Sequence, residues 1–111
     1  PKMAVYKGPL MDAVQSLEDD IDDEIRDARK YAEKALRFAD LTPAAADLYA
    51  KLSAAEMDHM AMLHKCVVQL IDLYRREHGA PPDEMLTIYD YLHQRHIQAA
   101  ADVARIQAMR E

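Results

Sequence analysis

The stretch Tyr49-Ala-Lys-Leu52-Ser-Ala-Ala-Glu56-Met-Asp-His59-Met-Ala-Met-Leu63-His-Lys-Cys66-Val-Val-Gln-Leu70 decides how this chain is read. Taken at steps of three and four, it puts Tyr49, Leu52, Glu56, His59, Leu63, Cys66 and Leu70 on one side of a helix. The stripe is apolar except for Glu56 and His59, a carboxylate and an imidazole about one turn apart. Ionisable groups on a buried stripe are costly unless something pairs with them. A metal ion is a natural partner for carboxylate and imidazole together.

Outward from this stretch the same period continues, and the punctuation is sparse. Gly8-Pro9 precedes the first periodic segment. Leu41-Thr42-Pro43 interrupts it, with Thr42 suited to an N-cap and Pro43 to the first helical position. Gly79-Ala80-Pro81-Pro82 interrupts again, with Gly79 as a C-cap. The spacing predicts three helices, over about 10–40, 43–78 and 82–110, and no strand. The composition agrees, with two glycines, no tryptophan and half the residues hydrophobic in one 111-residue domain, 1–111. The expected fold class is all-α: an antiparallel hairpin of long helices plus a third helix.

Charge and composition exclude several classes. A net charge of −6 argues against nucleic-acid binding through phosphate neutralisation. No apolar run approaches the ~20 residues that cross a bilayer, so no membrane partner is expected. Pro1-Lys2-Met3 lacks the basic-then-apolar pattern of a signal peptide, and the lone Cys66 cannot form an internal disulfide. Both features point to the cytoplasm. Cys66 itself reads as a small buried hydrophobe.

The polar interruptions of the apolar stripes converge. The first helix carries Leu10, Val14, Leu17, Ile21, Glu24, Ala28, Tyr31, Ala35 and Phe38 at steps of four and three, with Glu24 as the one charged member. The first turn is centred between Leu41 and Thr42. At ~1.5 Å of rise per residue, Glu24 before that turn and His59 after it lie level, with Glu56 one helical turn away. Glu24, Glu56 and His59 are therefore expected at one level of one hairpin. The third helix carries Met85, Ile88, Leu92, His96, Ala99, Val103 and Ile106. The same arithmetic sets His96 level with His64 and His93 level with Val67, roughly 8–12 Å along the bundle. Asp90, His93 and His96 should then stay out of the site. The two histidines read as partly exposed or interface residues.

These residues resemble the ferritin-like superfamily, its rubrerythrin branch most of all. The matching positions are Glu24, Ala28, Tyr31 and Ala32, then Ala55, Glu56, His59, Met60 and Leu63, within residues 14 to 74. The resemblance implies Glu24 and Glu56 as carboxylate ligands, Glu56 bridging, and His59 as a terminal ligand. It also implies Tyr31 as a hydrogen-bond donor to a carboxylate. Such sites draw a glutamate from each of two helices and Glu-x-x-His from each of two more. The third helix here offers no matching glutamate. A two-fold homodimer restores the full set and completes a four-helix bundle, as in the similar encapsulated ferritins. The helix could also join dimers into a larger homo-oligomer.

The chemistry implied is a di-iron carboxylate centre with ferroxidase activity, manganese or zinc being further candidates. Glu18, Asp19, Asp22 and Asp23 read as a solvated acidic face near the start of a helix. Asp20, one turn before Glu24, and more weakly Asp27 are candidates for a peripheral metal position. Other readings use the same residues. A salt-bridged cluster can fix register in a plain bundle. Met57, Met60 and Met62 beside His59 and His64 could hold copper. A helical interaction module with a metal-free polar core is the third.

Overall fold

A computed structural model describes residues 8–110. The reading of Pro1-Lys2-Met3 lies outside the described residues. Within them the chain is three α-helices, with no strand: α1 (Gly8–Arg37), α2 (Pro43–His78) and α3 (Asp83–Ala108). Among the described residues no helix is long and apolar enough to cross a membrane.

The punctuation acts locally as its chemistry dictates. Phe38–Leu41 forms the turn after α1, and the Thr42 N–H donates to Phe38 O at 2.9 Å. Thr42 Oγ1 accepts from Ala45 N at 3.3 Å, and Pro43 opens α2. Gly79, at φ +82°, closes α2 by donating to Arg75 O at 2.9 Å. That left-handed φ is open to glycine at little cost. Pro82 precedes α3 without a side-chain cap. The first helix is shorter at its C-terminus than expected, ending at Arg37 because the chain needs the following residues to reverse.

The molecule is elongated, 55 × 20 × 18 Å. α1 and α2 pack along their length as the expected hairpin, and α3 lies chiefly against α1, meeting α2 sparsely. That asymmetry moves the core. On α1 the buried column expected at Leu10, Leu17, Glu24, Tyr31 and Phe38 is only half-buried. Met11, Glu18, Ile25 and Ala32 are buried in its place. Val14, Ile21, Ala28 and Ala35, which lie between the two columns, are buried as expected.

A similar offset holds on α2. Its buried residues are Ala46, Ser53, Val67 and Ile71, whereas Tyr49, Leu52, Glu56, Leu63, Cys66 and Leu70 are half-buried and His59 is exposed. Both offsets have one cause. α3 covers the Met11-to-Ala32 side of α1, and among the described residues no third helix covers the other side. The helix-3 stripe fares better, with Met85, His96, Val103 and Ile106 buried. Ser53 ties the three helices at one point. Its hydroxyl donates to Ala28 O at 2.7 Å and accepts from Gln107 Nε2 at 2.9 Å.

Candidate metal centre

The hairpin brings Glu24, Glu56 and His59 together. His59 Nδ1 lies 3.3 Å from Glu24 Oε2 and 3.6 Å from Glu56 Oε1. One ligand atom from each residue falls within 4.8 Å of the other two. Donors sharing one ion at ~2.1 Å stand about 3.0–3.4 Å apart in octahedral or tetrahedral arrangements. The observed spacing is close enough for small side-chain adjustments to close it. Among the described residues no other group of three histidine, cysteine or acidic side chains converges this way.

The expected burial is corrected. The Glu56 and Glu24 side chains are 18% and 26% exposed, and His59 is 53% exposed. The cluster sits in the middle of the uncovered seam rather than inside the chain's core. Even so, the carboxyls feel each other. Glu56 is raised from its ordinary carboxyl value, first by hydrogen bonding with the Glu24 side chain. Partial burial and the Glu24 charge push the same way, and His59 opposes them. Two acidic side chains gathered this closely mark a place where a cation would neutralise both.

The outer residues behave less simply. Tyr31 stacks on Tyr49 with ring centroids 6.0 Å apart. Among the described residues its hydroxyl makes no hydrogen bond to Glu24 or Glu56. Asp20 is exposed and contributes no atom to the gathered group. Met57 and Met60 pack against the hydrophobic core, and Met62 is exposed. Cys66 is half-buried rather than buried, because it belongs to the same uncovered seam.

On the other side of α1 lies a second cluster, built from residues whose sequence pattern points to solvent or to an interface. Glu18 was expected on a solvated face and is instead 3% exposed. His96, expected to be partly exposed, is 7% exposed. His96 Nε2 lies 2.7 Å from Asp22 Oδ1, and its Nδ1 lies 3.4 Å from Glu18 Oε2. That Glu18 oxygen is buried with no hydrogen-bond partner. Burial is the main cause that raises the Glu18 carboxyl, followed by an opposing pull from His96 and smaller pushes from Asp22 and Asp19. The sequence signal for this cluster is the seven-residue column Met11, Glu18, Ile25, Ala32, which runs parallel to the column Leu10, Leu17, Glu24, Tyr31.

His93 stacks on His64 at 4.8 Å between centroids, one turn from the level expected for it. As expected, Asp90, His93 and His96 contribute nothing to the Glu24 group. Burial, then His93 and His96, lowers the His64 imidazole below its ordinary value.

Comparison with known proteins finds no relative: no protein-family model, no curated protein and no solved structure matches this chain.

Proposed function

We propose that this chain binds ferrous iron through Glu24, Glu56 and His59, and that two copies complete a di-iron carboxylate centre with ferroxidase activity. The observation that carries this reading is the convergence of those three ligand atoms at one level of the hairpin. The ferritin-like resemblance of the same residues supports it.

Three donors leave an iron site incomplete, since hard divalent ions take about six. A second copy across a two-fold axis supplies two more carboxylates and one more imidazole. The uncovered seam supports this occupant. Leu17, Tyr31 and Phe38 on α1, with Leu52, Leu63 and Leu70 on α2, are half-exposed around the carboxylates. A self-complementary partner would bury that apolar rim and exclude water from the polar centre. Four carboxylates then balance two divalent charges, which makes the burial tolerable. Manganese or zinc can occupy the same donors.

Ferrous ions are the substrate in this reading. Oxidation of two of them releases two electrons, which with two protons from water takes one dioxygen to hydrogen peroxide. The chain's own groups hold and neutralise. Glu24 and Glu56 supply carboxylate oxygens to the cation, and His59 supplies a ring nitrogen.

The test is anaerobic reconstitution of the apoprotein with ferrous ion, followed by air. Two irons per dimer, oxidised in air and lost in Glu56→Ala and His59→Ala with helicity retained, is the expected result. A folded protein that stays monomeric and binds no ferrous ion would sink the reading. Preference for cuprous ion, removed by substituting Met57, Met60 and Met62, would replace it with a copper site.

A further inference from the structure

α2 and α3 both lie on α1 and meet each other sparsely, and a cleft of about 140 Å³ opens between them. Met60 and His64 of α2 line one side, and His93, Ile97 and Ala100 of α3 line the other. Ile21 of α1 closes it from below. We propose that this cleft binds a small neutral phenol, one aromatic ring whose hydroxyl donates a hydrogen bond to a histidine nitrogen. The proposal uses none of the residues assigned to iron.

The walls, not the floor, offer the surface that a ligand covers. Ile97 is 49% exposed, and Met60, His64, His93 and Ala100 are half-buried. No aspartate, glutamate, lysine or arginine lines the cleft, so a charged ligand would lose water there without gaining an opposite charge. The volume sets the size, since an apolar cavity of ~150 Å³ takes up one benzene ring. The lining also suits a ring better than an alkyl chain. The His64 and His93 rings stack with centroids 4.8 Å apart and 14° between their planes, and Tyr89 extends the stack from His93 at 6.0 Å. Flat ring faces and the Met60 thioether both make favourable contacts with aromatic ligands.

The histidines supply the polar contact. His96 also lines the cleft, but its Nε2 lies 2.7 Å from Asp22 and its Nδ1 3.4 Å from Glu18. His64 and His93 differ. Among the described residues, hydrogen bonds to a histidine ring involve only His59 and His96. Neither His64 nor His93 has a nitrogen sealed from solvent without a partner, so their unbonded nitrogens are reachable from outside. A neutral imidazole keeps one nitrogen as an acceptor. Burial, followed by the effect of His93 and His96, lowers His64, which favours that acceptor form over the imidazolium that an anionic ligand would need.

Titration of the intact chain with phenol, toluene and benzoate, followed by NMR at the Met60 and Ile97 methyl groups, tests the assignment. Phenol is expected to saturate one site per chain with a Kd of about 1 mM, and benzoate to bind at least about tenfold more weakly. Ala100→Leu extends a half-buried side chain into the cleft and should abolish binding of phenol and toluene, with circular dichroism unchanged. The His64→Phe, His93→Phe double variant keeps two stacked rings without their acceptors. It should weaken phenol about fivefold and leave toluene unchanged. No saturable shift with phenol up to about 10 mM, or binding that survives Ala100→Leu, would overturn the proposal. So would benzoate binding as tightly as phenol, or equal losses of phenol and toluene in the double variant.

Discussion

Two carboxylate–carboxylate–histidine clusters flank the same helix, and they differ in how the imidazole is used. In the Glu24, Glu56, His59 cluster one ring nitrogen, Nδ1, lies near both carboxylates, at 3.3 Å and 3.6 Å. In the Glu18, Asp22, His96 cluster the carboxylates take opposite nitrogens of one ring, Nδ1 at 3.4 Å and Nε2 at 2.7 Å. The first arrangement gathers donor atoms around a common point, as ligands around an ion. The second puts the ring itself at the centre and leaves no shared point for a cation. The first is open to solvent on an uncovered seam. The second is buried where α3 crosses α1, as a clasp between helices. Residue type alone therefore does not separate a ligand set from a structural clasp; the direction of the donor atoms does.

The comparison can be broken first at the metal. Glu56→Ala or His59→Ala is expected to abolish ferrous binding in equilibrium dialysis, whereas Asp22→Asn should leave the stoichiometry unchanged. Equal loss from both clusters would erase the distinction. Next in size is the clasp itself. His96→Ala should cost about 2–3 kcal/mol in chemical denaturation, because it removes the imidazole 3.4 Å from the buried Glu18 carboxyl that offsets its burial. Replacing His96 and Glu18 together by leucine should recover most of that loss, since the buried carboxyl is then absent.

A smaller effect is expected at Ser53, whose hydroxyl joins Ala28 O to Gln107. Ser53→Ala should cost about 1 kcal/mol by the same measurement. An unchanged midpoint would show that the three-helix junction does not depend on it.

The smallest effect is in pH dependence. Burial raises the Glu18 carboxyl, so the folded protein holds a proton there more tightly than the unfolded chain does. That contribution is complete below the ordinary value of about 4.5 and is lost as pH climbs through the raised one. Stability should fall from mildly acidic towards neutral pH, and Glu18→Gln should flatten the slope. The pair is best compared in a Glu56→Gln background, because Glu56 is shifted in the same direction. An equally steep profile in the Glu18→Gln variant would remove Glu18 as the cause.

Much of the fold was legible. Thr42-Pro43 and Gly79 act through local backbone chemistry, so their roles as cap, first turn and stop appear where expected. The convergence of Glu24 with Glu56 and His59 was legible too, because a short turn and a constant rise per residue leave little freedom in which levels meet. The face on which they meet was not. Leu10, Leu17 and Phe38 are as apolar as Met11 and Ile25, and periodicity alone cannot say which of two adjacent columns a third helix will cover. Glu18 shows the consequence, since an acidic residue beside other acidic residues gives no local sign that it will be buried.

The chain's sequence by itself determined three helices, their caps and the level at which Glu24, Glu56 and His59 meet. Those depend on hydrogen bonds and spacings a few residues long, together with one short connection. Only the tertiary structure decided that α3 lies against α1, burying Glu18 with His96 and leaving the Glu24 seam uncovered among the described residues. That choice depends on packing between surfaces far apart in the chain, where several apolar columns compete with nearly equal claims.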